Sequence, residues 1–262
     1  MKIAAVAIAK NEDLYIHEWI KYYLKLGFDD IFIYENDWRH SSIDLYAGVV
    51  EVYGYNVHFI PFDGHVMQLK AYNTFINEHG NEFDWAAFVD IDEFIVNNTS
   101  SSMKDVLEKL QEFPQIGINW RLMGSNGLHS YDTFTSSVVE RFTRGDKNLN
   151  KHVKQIVNLS WFKKNLKPFP VFINPHCTNG ASFGVEAQNQ FFGPFQTSGL
   201  ETSHALELYH YAVKTPEELH AKVLRGRADT MATREKEEKE YFAEHDKNDI
   251  ELLGAKKFFE KI

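Results

Sequence analysis

Residues 84–96, Asp-Trp-Ala-Ala-Phe-Val-Asp-Ile-Asp-Glu-Phe-Ile-Val, run an apolar stretch directly into two carboxylates one residue apart, Asp90 and Asp92, with Glu93 beside them. Trp85 to Val89 read as a buried strand, since no polar residue interrupts them. Hard oxygen ligands delivered at the carboxyl end of such a strand suit a divalent cation held against phosphates. The plain alternative is a strand-end turn with solvated acids. The stretch therefore points to an α/β protein with a diphosphate-and-metal site at the edge of its sheet.

Working outward, strand and helix alternate through the first hundred residues, the pattern of a parallel sheet with right-handed crossovers. Ile3 to Ala9 is a continuous apolar strand, and Asn11 is expected to cap a helix with Glu12 and Asp13 in its first turn. Ile16, Trp19, Ile20, Tyr23 and Leu26 then recur at helical spacing until Gly27 stops them. Ile31 to Tyr34 and Asn56 to Pro61 read as strands, and Val66 to Ile76 as a second amphipathic helix. Lys10, Asn36, Asp37 and Asp90 all fall at strand ends, where ligands of such sheets bind.

Ser102 to Phe113 reads as another amphipathic helix. Short strands are expected at 117–122, 136–142, 154–159 and 169–174, completing the sheet and building an acceptor face. From Thr215 to about His245 the chain reads as helix again, opened by Thr-Pro-Glu-Glu.

A chain of 262 residues buries enough surface to fold without staples. The single cysteine, Cys177, excludes an internal disulfide framework and a cysteine zinc cluster, and fits a reducing compartment. No signal peptide opens the sequence and no run of 18 apolar residues occurs, so a cytoplasmic protein without a transmembrane segment is expected, with peripheral membrane contact left open. A net charge of −9 argues against a nucleic-acid partner. From Arg141 to Lys167, however, eight Lys or Arg accompany one acid, which reads either as a solvated basic face or as a surface for a phosphorylated ligand.

Several blocks carry a family resemblance in order along residues 8–227: Lys10-Asn11-Glu12, Ile33-Tyr34-Glu35-Asn36-Asp37, Gln68 with Ala71-Tyr72-Asn73, and Asp90-Ile91-Asp92-Glu93-Phe94. They continue with Trp120 and Gly124-Ser125-Asn126-Gly127, Glu140-Arg141-Phe142, Lys154-Gln155-Ile156-Val157, Pro175-His176, and His210-Tyr211 with Lys214, Glu217, Lys222 and Arg225-Gly226. Together these resemble the family-92 glycosyltransferases and their bacterial family-2-like relatives. The chain departs from eukaryotic members where His176 is followed by Cys177 rather than a second histidine, and their membrane anchor and stem are not expected here.

The resemblance implies a GT-A nucleotide-diphospho-sugar transferase fold, with a Rossmann-like mixed sheet flanked by helices. It implies a nucleotide-sugar donor (uridine diphosphate galactose in some members), a divalent ion usually supplied as manganese, and inversion at the transferred anomeric carbon. The domain is expected over 1–227, with 228–262 a helical extension packed on it.

Asp92 is the first choice of metal ligand, Asp90 a second ligand or a partner of the ribose, and His210 the histidine that completes the shell, with His176 competing; Mn2+ is favoured over Mg2+ because imidazole suits it. Lys10, Asn11, Glu12, Asn36, Asp37, Gln68, Asp90 and Ile91 are assigned to the nucleotide, and Lys214, Arg225 and Arg227 to its diphosphate. Inversion needs a base for the acceptor hydroxyl, for which Asp132 and Glu140 are the candidates, with Glu186 and Glu201 behind them. Trp120, Gly124 and Gly127 are read as an acceptor platform, or Trp120 as plain core. The expected activity is thus transfer of a hexose from a UDP-sugar to a hydroxyl of a glycan or lipid-linked saccharide. The alternatives are a metal-dependent nucleotidyltransferase or phosphohydrolase, against which the missing Gly-rich phosphate loop speaks, and a silent sugar- or nucleotide-binding module.

Overall fold

The computed structural model describes residues 1–36, 56–131, 137–186, 189–226 and 238–260. Asp37, Asp132 and Arg227, and the expected boundary after residue 227, lie outside them.

β1 (Ile3–Ala9) is buried at every position and forms the centre of a mixed sheet. It pairs in parallel with β2 (Asp30–Glu35) on one side and β4 (Trp85–Phe88) on the other, and β2 pairs in parallel with β3 (Val57–Pro61). Beyond β4 the direction reverses: β8 (Val153–Asn158) runs antiparallel to β4 and to β6 (Gln115–Leu122), which pairs in turn with β11 (Ser182–Gly184) and, through it, β12 (Gln190–Phe191). The second half of β6 leaves this row and pairs in parallel with β13 (Leu206–His210), itself antiparallel to β5 (Glu93–Asn97). The result is the mixed α/β architecture expected.

α1 (Ile16–Leu26) and α2 (Gln68–His79) cover opposite faces of the parallel part, each with its own apolar cluster. Gly27 closes α1 in the left-handed region at φ 102°, where a side chain would be strained. The start of α1 differs from the expectation. Its N-cap is Tyr15, while Asn11 takes φ 51° in a preceding turn whose Glu12 carbonyl accepts from the amides of Tyr15 and Ile16. Asn11 therefore shapes the loop between β1 and α1 and does not cap the helix.

α3 (Met103–Lys109) opens on a capping box between Ser102 and Asp105. The strand expected at 136–142 is instead, in its described part, α4 (Val138–Arg141). Val138 and Val139 have strand character, but the Glu18 carboxylate accepts from Ser137 Oγ (2.6 Å) and from the amides of Val138 (2.7 Å) and Val139 (3.1 Å), a charged cap brought by α1. The basic run is not one face either. Arg141 pairs with Glu218, Lys154 is buried against Asp90, and Lys163 donates to the Phe83 carbonyl.

After β7 (Arg144–Gly145), α5 (Leu159–Lys164) and the hairpin of β9 (Phe172–Asn174) with β10 (Cys177–Thr178), the chain reaches α6 (Pro216–Arg225). The carboxyl-terminal segment returns over the sheet. α7 (Glu238–His245) lies against α6, β14 (Ile250–Glu251) pairs with β7, and α8 (Gly254–Glu260) sets Phe258 against Tyr22 of α1 at 5.0 Å between ring centres. Among the described residues no helix is long and apolar enough to cross a membrane.

Candidate active site

The two aspartates sit in a turn that joins β4 to β5 and is held from behind by α1. The amide of Glu93 donates to the Asp90 carbonyl at 3.0 Å, and Glu93 Oε2 accepts from the Asp90 amide at 2.8 Å. Trp19 Nε1 donates to both the Asp90 and Glu93 carbonyls (3.0 and 3.2 Å), and Tyr23 donates its hydroxyl to the latter at 3.0 Å. The aromatic stripe that packs α1 therefore also aims the acids. On the other side the Tyr211 amide donates to the Asp92 carbonyl at 2.9 Å, so the end of β13 is stitched to the turn through main chain.

That stitch places His210 beside Asp92, with Nε2 3.7 Å from Oδ2. Burial outweighs the nearby carboxylate and keeps the imidazole pKa below its ordinary value, so His210 is neutral at neutral pH. Asp92 is buried too, but Lys222 and His210 more than offset that and hold its carboxyl well below the usual range. Lys222 Nζ lies 2.5 Å from Asp92 Oδ2 and 3.3 Å from the Ala212 carbonyl.

Asp90 is the more open of the pair, its side chain 32% exposed. Three groups converge on its Oδ1: Gln68 Nε2 at 2.6 Å, the Tyr72 hydroxyl at 3.1 Å and Lys154 Nζ at 2.9 Å. Lys154 is itself buried between Asp90 and Glu93, and those acids raise its pKa against the opposing effect of burial. Gln68 thus reaches the site as an orienting partner of Asp90. Ile91, between the acids, is buried in the larger apolar cluster.

The cationic wall comes from α6 and the segment before it. Arg225 pairs with Glu12 and donates to the Asn11 carbonyl at 2.8 Å, locking the loop after β1 to α6, and a side chain at Gly226 would approach Lys10 Nζ at 3.6 Å. Lys214 is buried at φ 52° with its ammonium 4.3 Å from the centre of the Tyr15 ring, and burial lowers its pKa. Below this wall Glu218 accepts from Arg141 (2.7 and 2.9 Å) and Tyr15 (2.8 Å) while closing the capping box of Thr215. The amino-terminal loop, the acid turn, the end of β13 and α6 are brought together as the sequence blocks suggest.

The remaining assignments have the following places. Asn36 donates its side-chain amide to the Phe62 and Gly64 carbonyls (2.8 and 3.1 Å), tying the ends of β2 and β3. His176 Nδ1 lies 3.0 Å from the Val153 carbonyl, on the Asp90 and Lys154 side, so His210 is the histidine beside Asp92. Glu140 sits on α4, where Glu18 feels its charge. Glu186 is engaged by the Ala205 amide, and Glu201 is exposed in the loop before β13. Gly124 is overlain by the Lys247 carbonyl, and the amides of Ser125 and Asn126 donate to Asp246 and Asn248 (2.6 and 2.9 Å), so this end of the segment anchors the carboxyl terminus while Gly127 stays exposed. Trp120 is mostly buried but ringed by histidines: His210 at 4.1 Å, His152 at 4.9 Å and His176 at 5.0 Å between ring centres.

Lys154, Lys222 and Tyr72 are the polar groups touching the aspartates that no sequence-based role covered. All three lie in quoted blocks of the resemblance, which was the available signal.

The fold is thus α/β, with a carboxylate pair at the carboxyl end of β4 faced by Lys222 and Arg225 of α6. The sequence model of Glycosyltransferase family 92 matches residues 6–251, and the chain belongs to that family. A glycosyltransferase family 92 protein of rice, Oryza sativa subsp. japonica, is 26% identical over 108 residues, covering 41% of this chain and only 18% of that relative. Among solved structures, S. aureus TarS 1-349 in complex with UDP-GlcNAc is 17% identical over 94% of this chain and 71% of the other, at a TM-score of 0.41. HddC from Yersinia pseudotuberculosis complexed with GMP-PN is 10% identical over 80% of this chain and 93% of the other, also at 0.41.

Proposed function

We propose that the chain is a metal-dependent inverting glycosyltransferase that moves a hexose from a UDP-sugar, UDP-galactose being the first donor to test, to a hydroxyl of a glycan or lipid-linked saccharide. The observation that carries this reading is the turn at Asp90 and Asp92, joined through main chain to His210 and faced by Lys214, Lys222 and Arg225, within a chain that belongs to family 92.

The residues present fit a divalent cation of the Mn2+ or Mg2+ type. His210 is neutral, Asp92 is ionised, and 3.7 Å between their donor atoms lets both reach one ion. Among the described residues no group of three His, Cys, Asp or Glu could hold a metal alone, so diphosphate oxygens and water would have to supply the remaining ligands, as is usual for these ions. Asp92 and His210 would hold the ion, with the free edge of Asp90 toward it or toward the ribose. When bound, such an ion stabilises the negative charge that develops on the departing diphosphate.

The chain's own groups do the rest. Lys10, Lys214 and Arg225 present positive charge to the phosphates, and the loop at 10–12, pinned by Arg225, holds the nucleoside side of the donor. Trp120, buried and stacked on His152, serves the site by packing against the His210 ring beside Asp92. The acceptor proton goes to a carboxylate on the face opposite the leaving group, for which Asp132 and Glu140 stand as candidates.

Mn2+-dependent binding of UDP, followed by slow Mn2+-dependent hydrolysis of UDP-sugars, tests the proposal. Asp92→Asn is expected to abolish both in a protein that still folds, at a lowered melting temperature because Lys222 loses its carboxylate partner. UDP binding without hydrolysis of any UDP-sugar would favour the silent module, and indifference to UDP with and without Mn2+ would refute the reading.

A further inference from the structure

Both acids of the turn already hold an ammonium group, and the two lysines are not equivalent. Lys154 is 1% exposed, enclosed between Asp90 and Glu93 on the central sheet. Lys222 is 29% exposed and reaches Asp92 from α6. Its ammonium lies 2.5 Å from Oδ2, the same oxygen that faces His210 Nε2 at 3.7 Å. A divalent cation bound to that oxygen sits about 2.1 Å from it. Two cations on one carboxylate oxygen repel, and the ammonium cannot stay. An ammonium released from its carboxylate needs another anion, because half-buried charge without a partner is costly. The lysine stem is long and flexible, and its charge is a mobile point rather than a fixed fork.

The other cations of the wall have partners elsewhere. Arg225 is committed to Glu12 and the Asn11 carbonyl, and Lys214 lies over Tyr15. Within this wall Lys222 is the cation paired with Asp92, the first candidate metal ligand, and the ligand expected here brings its own negative oxygens.

We propose that Lys222 is the resident counter-ion of Asp92, and that a divalent metal enters as the Lys222 ammonium passes to the diphosphate of the donor, making metal and nucleotide diphosphate bind with strong positive coupling. This rests on the metal and diphosphate reading above. Lys222 then neutralises Asp92 in the free protein and the phosphates in the loaded one. No bond forms or breaks; one ion pair is exchanged for another. Because coupling is reciprocal, Mn2+ raises affinity for UDP by the same factor that UDP raises affinity for Mn2+.

The test measures Mn2+ binding to the whole chain from the electron paramagnetic resonance signal of the free ion, with and without saturating UDP, for the native protein and for Lys222→Met and Lys222→Gln. Melting temperatures identify any variant that has not folded. In the native protein UDP is expected to tighten Mn2+ binding by about tenfold or more, within the usual range for coupled sites. Both variants are expected to bind Mn2+ alone about tenfold more tightly than the native protein does, and to lose most of the gain from UDP. If all three proteins bind Mn2+ equally and gain equally from UDP, the exchange is wrong while the metal reading stands. If none binds Mn2+ but the native protein binds UDP and the variants bind it weakly, Lys222 is a permanent cation, and both the exchange and the metal dependence fall.

Discussion

Truncating Glu207 should unfold this protein several degrees earlier without altering the chemistry of the molecules that remain folded. Glu207 on β13 and Arg121 on β6 are each 2% exposed and form a two-pronged pair, Nε to Oε2 at 3.1 Å and NH2 to Oε1 at 2.8 Å. The guanidinium also donates to the Asp146 and Lys147 carbonyls (3.2 and 2.7 Å), and Glu207 Oε1 accepts from the His204 amide at 3.2 Å. Glu207→Ala leaves the guanidinium buried without its counter-charge, which costs about 3–5 kcal/mol. Unfolding entropy is about 2.1 cal/mol/K per residue, so for 262 residues the melting temperature falls by about 5–9 °C. Arg121→Met combined with Glu207→Leu removes both charges and should melt above the single variant, since a buried pair exchanged for apolar side chains is often nearly neutral. Scanning calorimetry of the three proteins reads both comparisons. A fall below about 2 °C for the single variant, or a double variant no better than the single, would refute the reasoning.

Three other perturbations probe the site. Trp19→Phe removes the donor shared by the Asp90 and Glu93 carbonyls; the expected loss is about 1–3 kcal/mol in urea denaturation together with weaker UDP binding, and unchanged UDP affinity would show that the turn keeps its shape without the indole. Because burial keeps the His210 pKa below its ordinary value, its neutral form persists as pH falls through the usual imidazole range. Mn2+ affinity should therefore hold level from pH 8 down past about 6.5 and decline only below that, whereas a decline centred near 6.5 would mean a solvated histidine. Gly124→Ala places a methyl group on the Lys247 carbonyl and should expose the carboxyl-terminal segment to limited proteolysis at temperatures where the native chain resists; equal resistance would place that segment elsewhere.

The amino-terminal half was legible because its signals are local. Ile3 to Ala9 is apolar throughout and is the buried strand it resembles, and Gly27 stops α1 where the periodicity ends. The two errors in elements share a cause. At 138–141 the valines have strand character, and the Glu18 carboxylate that makes a helix there lies more than a hundred residues earlier in sequence. Asn11 has the composition of a cap, but its loop is shaped by Arg225 from the far end of the chain. The same distance hides the lysines. Lys154 belongs by spacing to a basic run, and only the pairing of β4 with β8 reveals that it faces Asp90. Lys222 shows in sequence as one more polar position on α6, and its contact with Asp92 spans 130 residues. The acid pair itself was readable because its strand, its spacing and its end position all occur within one short segment.

The separation between Asp92 and His210 is set by a peptide amide meeting a peptide carbonyl, Tyr211 to Asp92, and not by either side chain. Backbone geometry survives substitution, so the two positions behave as a socket whose width is independent of what is plugged into it. Exchanging the imidazole for a carboxylate or a thiolate would change which ion is preferred while leaving the span intact, and makes this strand end a suitable place to retune metal preference by design.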